Sequence, residues 1–73
     1  MRIFQRQLEP GAVYTDDDGQ SREIVSMDGP KVVYRMLTHG QSTPFKSSKL
    51  PPVGGVEEIT KHCFARWAKQ EVA

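Results

Sequence analysis

The stretch that decides the fold runs from Gly11 to Leu37 and reads GAVYTDDDGQSREIVSMDGPKVVYRML. Three short apolar-alternating runs, about Ala12–Thr15, about Arg22–Met27 and the one ending at Leu37, are separated by two clusters of turn formers, the pattern of a three-stranded meander. In the first cluster, Asp16-Asp17-Asp18-Gly19, aspartate tolerates turn geometry and glycine supplies a positive φ without steric cost. The second, Asp28-Gly29, is a hairpin signal. Pro30 complicates it, because it has no amide proton to return to Met27 across a two-residue turn. A four-residue loop over Met27–Pro30 removes that conflict and keeps one pairing register. It opposes Val25 to Val32, Ile24 to Val33, Glu23 to Tyr34 and Arg22 to Arg35. Directly opposed residues share a face, so Val25, Val32 and Tyr34 are expected on one side. Ile24, Val33, Arg22 and Arg35 are expected on the other. A hairpin apolar on both faces must coil on itself or be covered, and a small barrel does both.

Outward from this ribbon the signals weaken. Residues 1–10 form a polar lead-in from which Ile3, Phe4 and Leu8 can pack on the body. Residues 38–55 read as a loop or edge strand. Ser42–Ser48 is a candidate fourth strand with Phe45 inward, and Pro44 then demands an edge or a bulge. Residues 56–73 read as a closing strand and a helix. Thr60 is a natural N-cap, with Ile59 and Phe64 placed as a hydrophobic staple. Phe64, Trp67, Ala68 and Val72 follow as one apolar stripe, with Lys61, Ala65 and Lys69 on the opposite side. A start at Gly55-Val56, with Glu57 and Glu58 in the first turn, is the competing reading; the later start, with Val56–Ile59 as a strand, is preferred.

At 73 residues the chain is one domain, burying about 60% of the surface its unfolded form exposes. The single Cys63 excludes an internal disulfide and argues against a secreted disulfide scaffold. No apolar run is long enough to span a membrane, and the first residues carry no signal-peptide apolar core. A reducing cytoplasm is the expected compartment. Net charge is +1, but its distribution is uneven. Residues 29–55 carry Lys31, Arg35, Lys46 and Lys49 with no acid, whereas residues 1–28 set Arg2, Arg6 and Arg22 against six acids. Such asymmetry marks the middle segment for a binding hypothesis.

The chain resembles short uncharacterised bacterial and prophage-encoded proteins built as small SH3-like barrels. The residues that carry the likeness are Pro10-Gly11-Ala12-Val13-Tyr14, Gly19, Arg22-Glu23-Ile24, Val32-Val33-Tyr34 and Phe64-Ala65-Arg66-Trp67-Ala68. They are packing residues, and nothing in the 38–55 stretch matches. The resemblance implies a fold and transfers no active site, since SH3-like barrels host many unrelated roles.

Candidate chemistry is sparse. Three adjacent aspartates cannot all face one ion, and an EF-hand count from Asp16 puts Met27 where a glutamate is needed, so Asp16–Asp18 reads as a solvated turn. His62 and Cys63 are helix neighbours that do not face each other, and one cysteine with two histidines is too few for a zinc site. Cys63 reads as a small half-buried apolar residue, and His39 sits in a loop with no acid to orient it. Nucleophile-elbow, phosphate-loop and dinucleotide motifs do not occur. No enzyme activity, cofactor or metal is expected. Arg22 and Arg35, placed opposite each other, need an acid such as Glu57 or Glu58 between them or a bound anion. Tyr34 and Phe45 offer surface for base stacking. Tyr14 and Tyr34 beside Asp16–Asp18 are the nearest approach to a peptide groove of the kind that grips Pro-rich segments.

The resulting expectation is a mainly β (α+β) domain, a small, partly open SH3-like antiparallel barrel of four or five strands with a C-terminal helix. It would act as a non-catalytic protein-interaction module, as monomer or weak homodimer, through a sheet edge or the 38–55 loop. The alternative is a weak nucleic-acid binder using Lys31, Arg35, Lys46 and Lys49.

Overall fold

The computed structural model describes residues 3–40 and 50–72. A 3₁₀ turn (Gln5–Gln7) precedes β1 (Val13–Thr15), β2 (Ser21–Asp28) and β3 (Lys31–Thr38); β4 (Val56–Thr60), α1 (Lys61–Trp67) and β5 (Gln70–Glu71) follow. Every pairing is antiparallel, in the order β4-β3-β2-β1-β5. The protein is therefore mainly β, a five-stranded sheet with one C-terminal helix among the described residues. The edge strands β4 and β5 do not pair with each other, so among the described residues the sheet is open and closure into a barrel is not seen. The candidate strand at Ser42–Ser48 lies outside the described residues.

The β2–β3 hairpin corrects the expected register. Asp28 pairs with Lys31, Met27 with Val32 and Ser26 with Val33, so the turn is Gly29-Pro30. Gly29 takes φ 56° at the first central position, the placement a type II′ turn requires. Pro30 then occupies the second central position, where its missing amide costs nothing. Further along, the ladder shifts between Ile24 and Ser26, leaving Val25 as an extra residue. A bulge of this kind reverses side-chain parity and bends the strand. Ile24 consequently opposes Tyr34, Glu23 opposes Arg35 and Arg22 opposes Met36. Ile24, Val32, Tyr34 and Met36 all lie on the buried face, while Val25 is 41% exposed. The expected opposition of Arg22 to Arg35 does not occur.

The core lies between this inner face, α1 and the lead-in. Tyr14, Ile24, Val32, Tyr34, Met36 and Phe64 are fully buried. Phe64 meets Tyr14 edge-on at a centroid distance of 5.6 Å, and lies 5.8 Å from Tyr34 and 5.2 Å from Trp67. Such tilted and edge contacts suit the aromatic quadrupole. Ile3 and Leu8 close the core from the lead-in. The Tyr14 hydroxyl donates to the Gln7 carbonyl (3.0 Å) and accepts from the Glu9 amide (3.3 Å), fastening that segment to β1.

The helix begins where the preferred reading puts it. The Thr60 hydroxyl accepts from the Cys63 amide at 3.1 Å, and β4 runs directly into α1. Its far end differs from expectation. The helix stops at Trp67, and the chain returns to β1: Lys69 N–H donates to the Thr15 carbonyl and Val72 N–H to the Val13 carbonyl, both at 2.8 Å. Val72 thus leaves the helical stripe and is 51% exposed. Ala65, expected on the outer side, is buried because the 3₁₀ turn packs against the helix there.

Candidate functional site

Among the residues flagged for nucleic acid, Lys31 and Arg35 stand on the outer sheet face, each beside a carboxylate. Lys31 Nζ is 3.7 Å from Glu58 Oε1, and Arg35 Nη1 is 3.2 Å from Glu23 Oε1. Both pairs are cross-strand neighbours made by the register. Lys46, Lys49 and Phe45 lie outside the described residues. Tyr14 and Tyr34 are fully buried, so neither offers a stacking surface nor lines a peptide groove, contrary to the sequence reading. The alternation that brings β-branched residues inward carries the tyrosines with them.

The polar residues around the turn do structural work. Asp16 Oδ1 accepts from the Asp18 and Gln20 amides at 2.9 Å each, while its Oδ2 accepts from Trp67 Nε1 at 2.9 Å. The first acid of the turn therefore pins the end of α1 to the β1–β2 connection. No three His, Cys, Asp or Glu side chains converge as a metal site among the described residues. Cys63 is exposed rather than half-buried. His39 Nε2 lies 2.8 Å from the Pro51 carbonyl, joining the end of β3 to the segment before β4.

Arg22 is the site's least expected member. It is 6% exposed, with its guanidinium carbon 4.0 Å from the Trp67 ring centroid and 4.6 Å from that of Tyr34. Its Nε donates to Gln20 Oε1 at 2.6 Å, and it makes no ion pair with a described carboxylate. Burial pulls the guanidinium below its ordinary pKa, opposed by Tyr34, Asp16 and Glu57. The Tyr34 hydroxyl donates to Glu57 Oε1 at 3.2 Å. Burial first of all raises the Tyr34 phenol, with Arg22 pulling the other way. A planar, weakly hydrated cation between two rings is the arrangement arginine accepts and lysine does not.

Two surface features stand out among the described residues. The first is β4, at one edge of the sheet, with Val56, Glu57 and Glu58 exposed and no second strand on its outer side among the described residues. The second is a groove of about 410 Å³ between the lead-in and α1, lined by Ile3, Phe4, His62, Ala65, Arg66, Ala68 and Lys69, with Gln5 at its rim. Sequence reasoning missed it. His62 and Arg66 stand at i and i+4 on one helix side, but Lys69 lies past the helix end at Trp67 and the lead-in that forms the other wall shows no periodicity. No described helix is long and apolar enough to cross a membrane. Comparison with protein-family models, curated proteins and solved structures finds no match for this chain.

Proposed function

We propose that the protein is a non-catalytic interaction module that takes an extended segment of a partner protein onto β4. The observation that carries this reading is an exposed five-residue edge strand, Val56–Thr60, on a sheet whose opposite edge, β5, is only two residues long. In strand addition the backbone bonds supply affinity and alternate side chains supply specificity. Glu57 and Glu58 make this edge acidic, so the incoming strand is expected to carry lysine or arginine. The same acids disfavour a second copy here: two antiparallel β4 strands would set glutamates opposite one another, and like charges so placed destabilise. A monomer is therefore the working state in this reading. A meander followed by a helix and a return strand on β1 supports the SH3-like assignment, in a form left open between β4 and β5. A bacterial or prophage setting and a reducing cytoplasm belong to the same reading, supported by the sequence resemblance and the lone cysteine.

Amide-shift mapping with short peptides alternating valine and lysine tests the proposal. Shifts and slowed hydrogen exchange are expected along Val56–Thr60, weakened by Glu58→Lys. Unmoved β4 amides at high peptide concentration would count against the edge as the binding surface.

A further inference from the structure

The groove between the lead-in and α1 gathers cations that make no ion pair among the described residues. Arg66 and Lys69 line it. Arg6 adds a third such cation beside it, with its guanidinium 5.0 Å from the Phe4 ring centroid. On the outer face, by contrast, Lys31 and Arg35 each have a carboxylate partner. Among the described residues no acid lines the groove. Its floor is Ile3, Ala65 and Ala68, and its wall is Phe4, 46% exposed. Cations without counter-charges around an apolar floor suit a ligand that brings both carboxylates and an apolar side chain.

We propose that this groove binds an acidic peptide segment, with an apolar anchor against Phe4 and the floor and carboxylates meeting Arg66 and Lys69. Arginine's planar fork matches a carboxylate with two parallel bonds, and Arg66 is placed on the helix side of the groove to offer it. A long polyanion fits less well. Lys69 also borders the neighbouring depression formed with Thr15, Asp16, Asp17 and Gln70. The positive stretch therefore ends in carboxylates, and a continuous phosphate backbone would run into them. A short acidic peptide stops before that point. The site is separate from the β4 edge and stands or falls independently of it.

The test is an amide-shift titration of the whole chain with a blocked peptide of aspartates and glutamates flanking one leucine. Two probes run beside it: the same peptide with asparagine and glutamine, and an oligothymidylate of similar length. Shifts at Phe4, Ala65 and Ala68 with the acidic peptide alone, and a roughly tenfold weaker affinity in Arg66→Glu/Lys69→Glu, are the expected result. Both substituted side chains are exposed, and an unchanged unfolding midpoint verifies that the fold survives. Equal binding of the amide peptide, tighter binding of the oligonucleotide at the same salt, or no groove shift would each overturn the proposal. So would concentration-dependent self-association that moves the same amides, since a second copy's Asp16–Asp18 turn would then be the occupant. β4 amides should stay still throughout, which separates this outcome from that of the edge-strand experiment.

Discussion

Replacing Arg22 separates shape from charge inside the core. Arg22→Lys keeps the positive charge but loses the planar stack on Trp67 and Tyr34 and the Nε bond to Gln20. A cation–π contact contributes from about 0.5–1 kcal/mol when exposed to about 2 kcal/mol when desolvated, and a hydrogen bond from a charged donor about 1.5–3 kcal/mol; lysine keeps part of the first. The ammonium, more strongly hydrated than guanidinium, must also be stripped of water. A net loss of about 2–3 kcal/mol is expected for lysine. Arg22→Met removes the charge, fills much of the same volume and keeps a polarisable contact with the rings. It strands no acid, because Asp16 is already bonded to Trp67 Nε1 and two amides, and Glu57 to the Tyr34 hydroxyl. Replacing a buried charge with a well-packed apolar group is often close to neutral, but methionine also gives up the Nε bond to the buried Gln20, so it should cost about 1–2 kcal/mol, less than lysine. Urea unfolding followed by Trp67 fluorescence measures both. A lysine variant as stable as the methionine variant, or more so, would refute the stacking argument and leave Arg22 acting as a simple charge.

Three further outcomes follow from contacts elsewhere. A Cβ at Gly40 would collide with the Gly19 carbonyl carbon and lie 2.5 Å from the Asp18 oxygen and the Gln20 nitrogen, at φ 62°; Gly40→Ala should cost about 2 kcal/mol or more, seen as a Tm lower by roughly 8 °C or more. Asp16→Asn keeps an acceptor for the turn amides but turns an N–H toward Trp67 Nε1, so a loss of about 1–3 kcal/mol with altered indole emission is expected. Burial raises both Tyr14 and Tyr34 above the ordinary 10.0, so above that pH the unfolded chain releases protons that the folded chain retains. Their contribution is fully present below pH 10 and is lost as pH rises through the folded values. Tyrosinate absorbance should therefore appear together with loss of structure, rather than before it.

The hairpins, the Thr60 cap and the strand-to-helix junction were legible in the sequence because each depends on local chemistry. Asp-Gly turns, a hydroxyl before a helix and β-branched runs act over a few residues. What escaped was non-local or broke a period. The Val25 bulge leaves no compositional mark, yet it reverses which residues face inward. Arg22 looks like a surface residue in any alternating strand; its burial depends on Trp67, 45 positions later, supplying a ring for it to stack on. Gln70–Glu71 has no strand pattern and pairs because Thr15 and Val13 present free carbonyls. The groove combines a helix side with the lead-in, a pairing set by tertiary packing alone.

The bulge at Val25 also separates two blocks of opposite phase in the central hairpin. From the turn to Ser26, odd positions of β3 oppose even positions of β2; from Ile24 to Arg22, odd opposes odd, until a second shift between Ser21 and Arg22. Recombining this hairpin with another, or shortening β2 by one residue, would leave one block correctly oriented and turn the other inside out. Any redesign of the sheet must therefore carry Val25 and its two neighbours as a single indivisible joint.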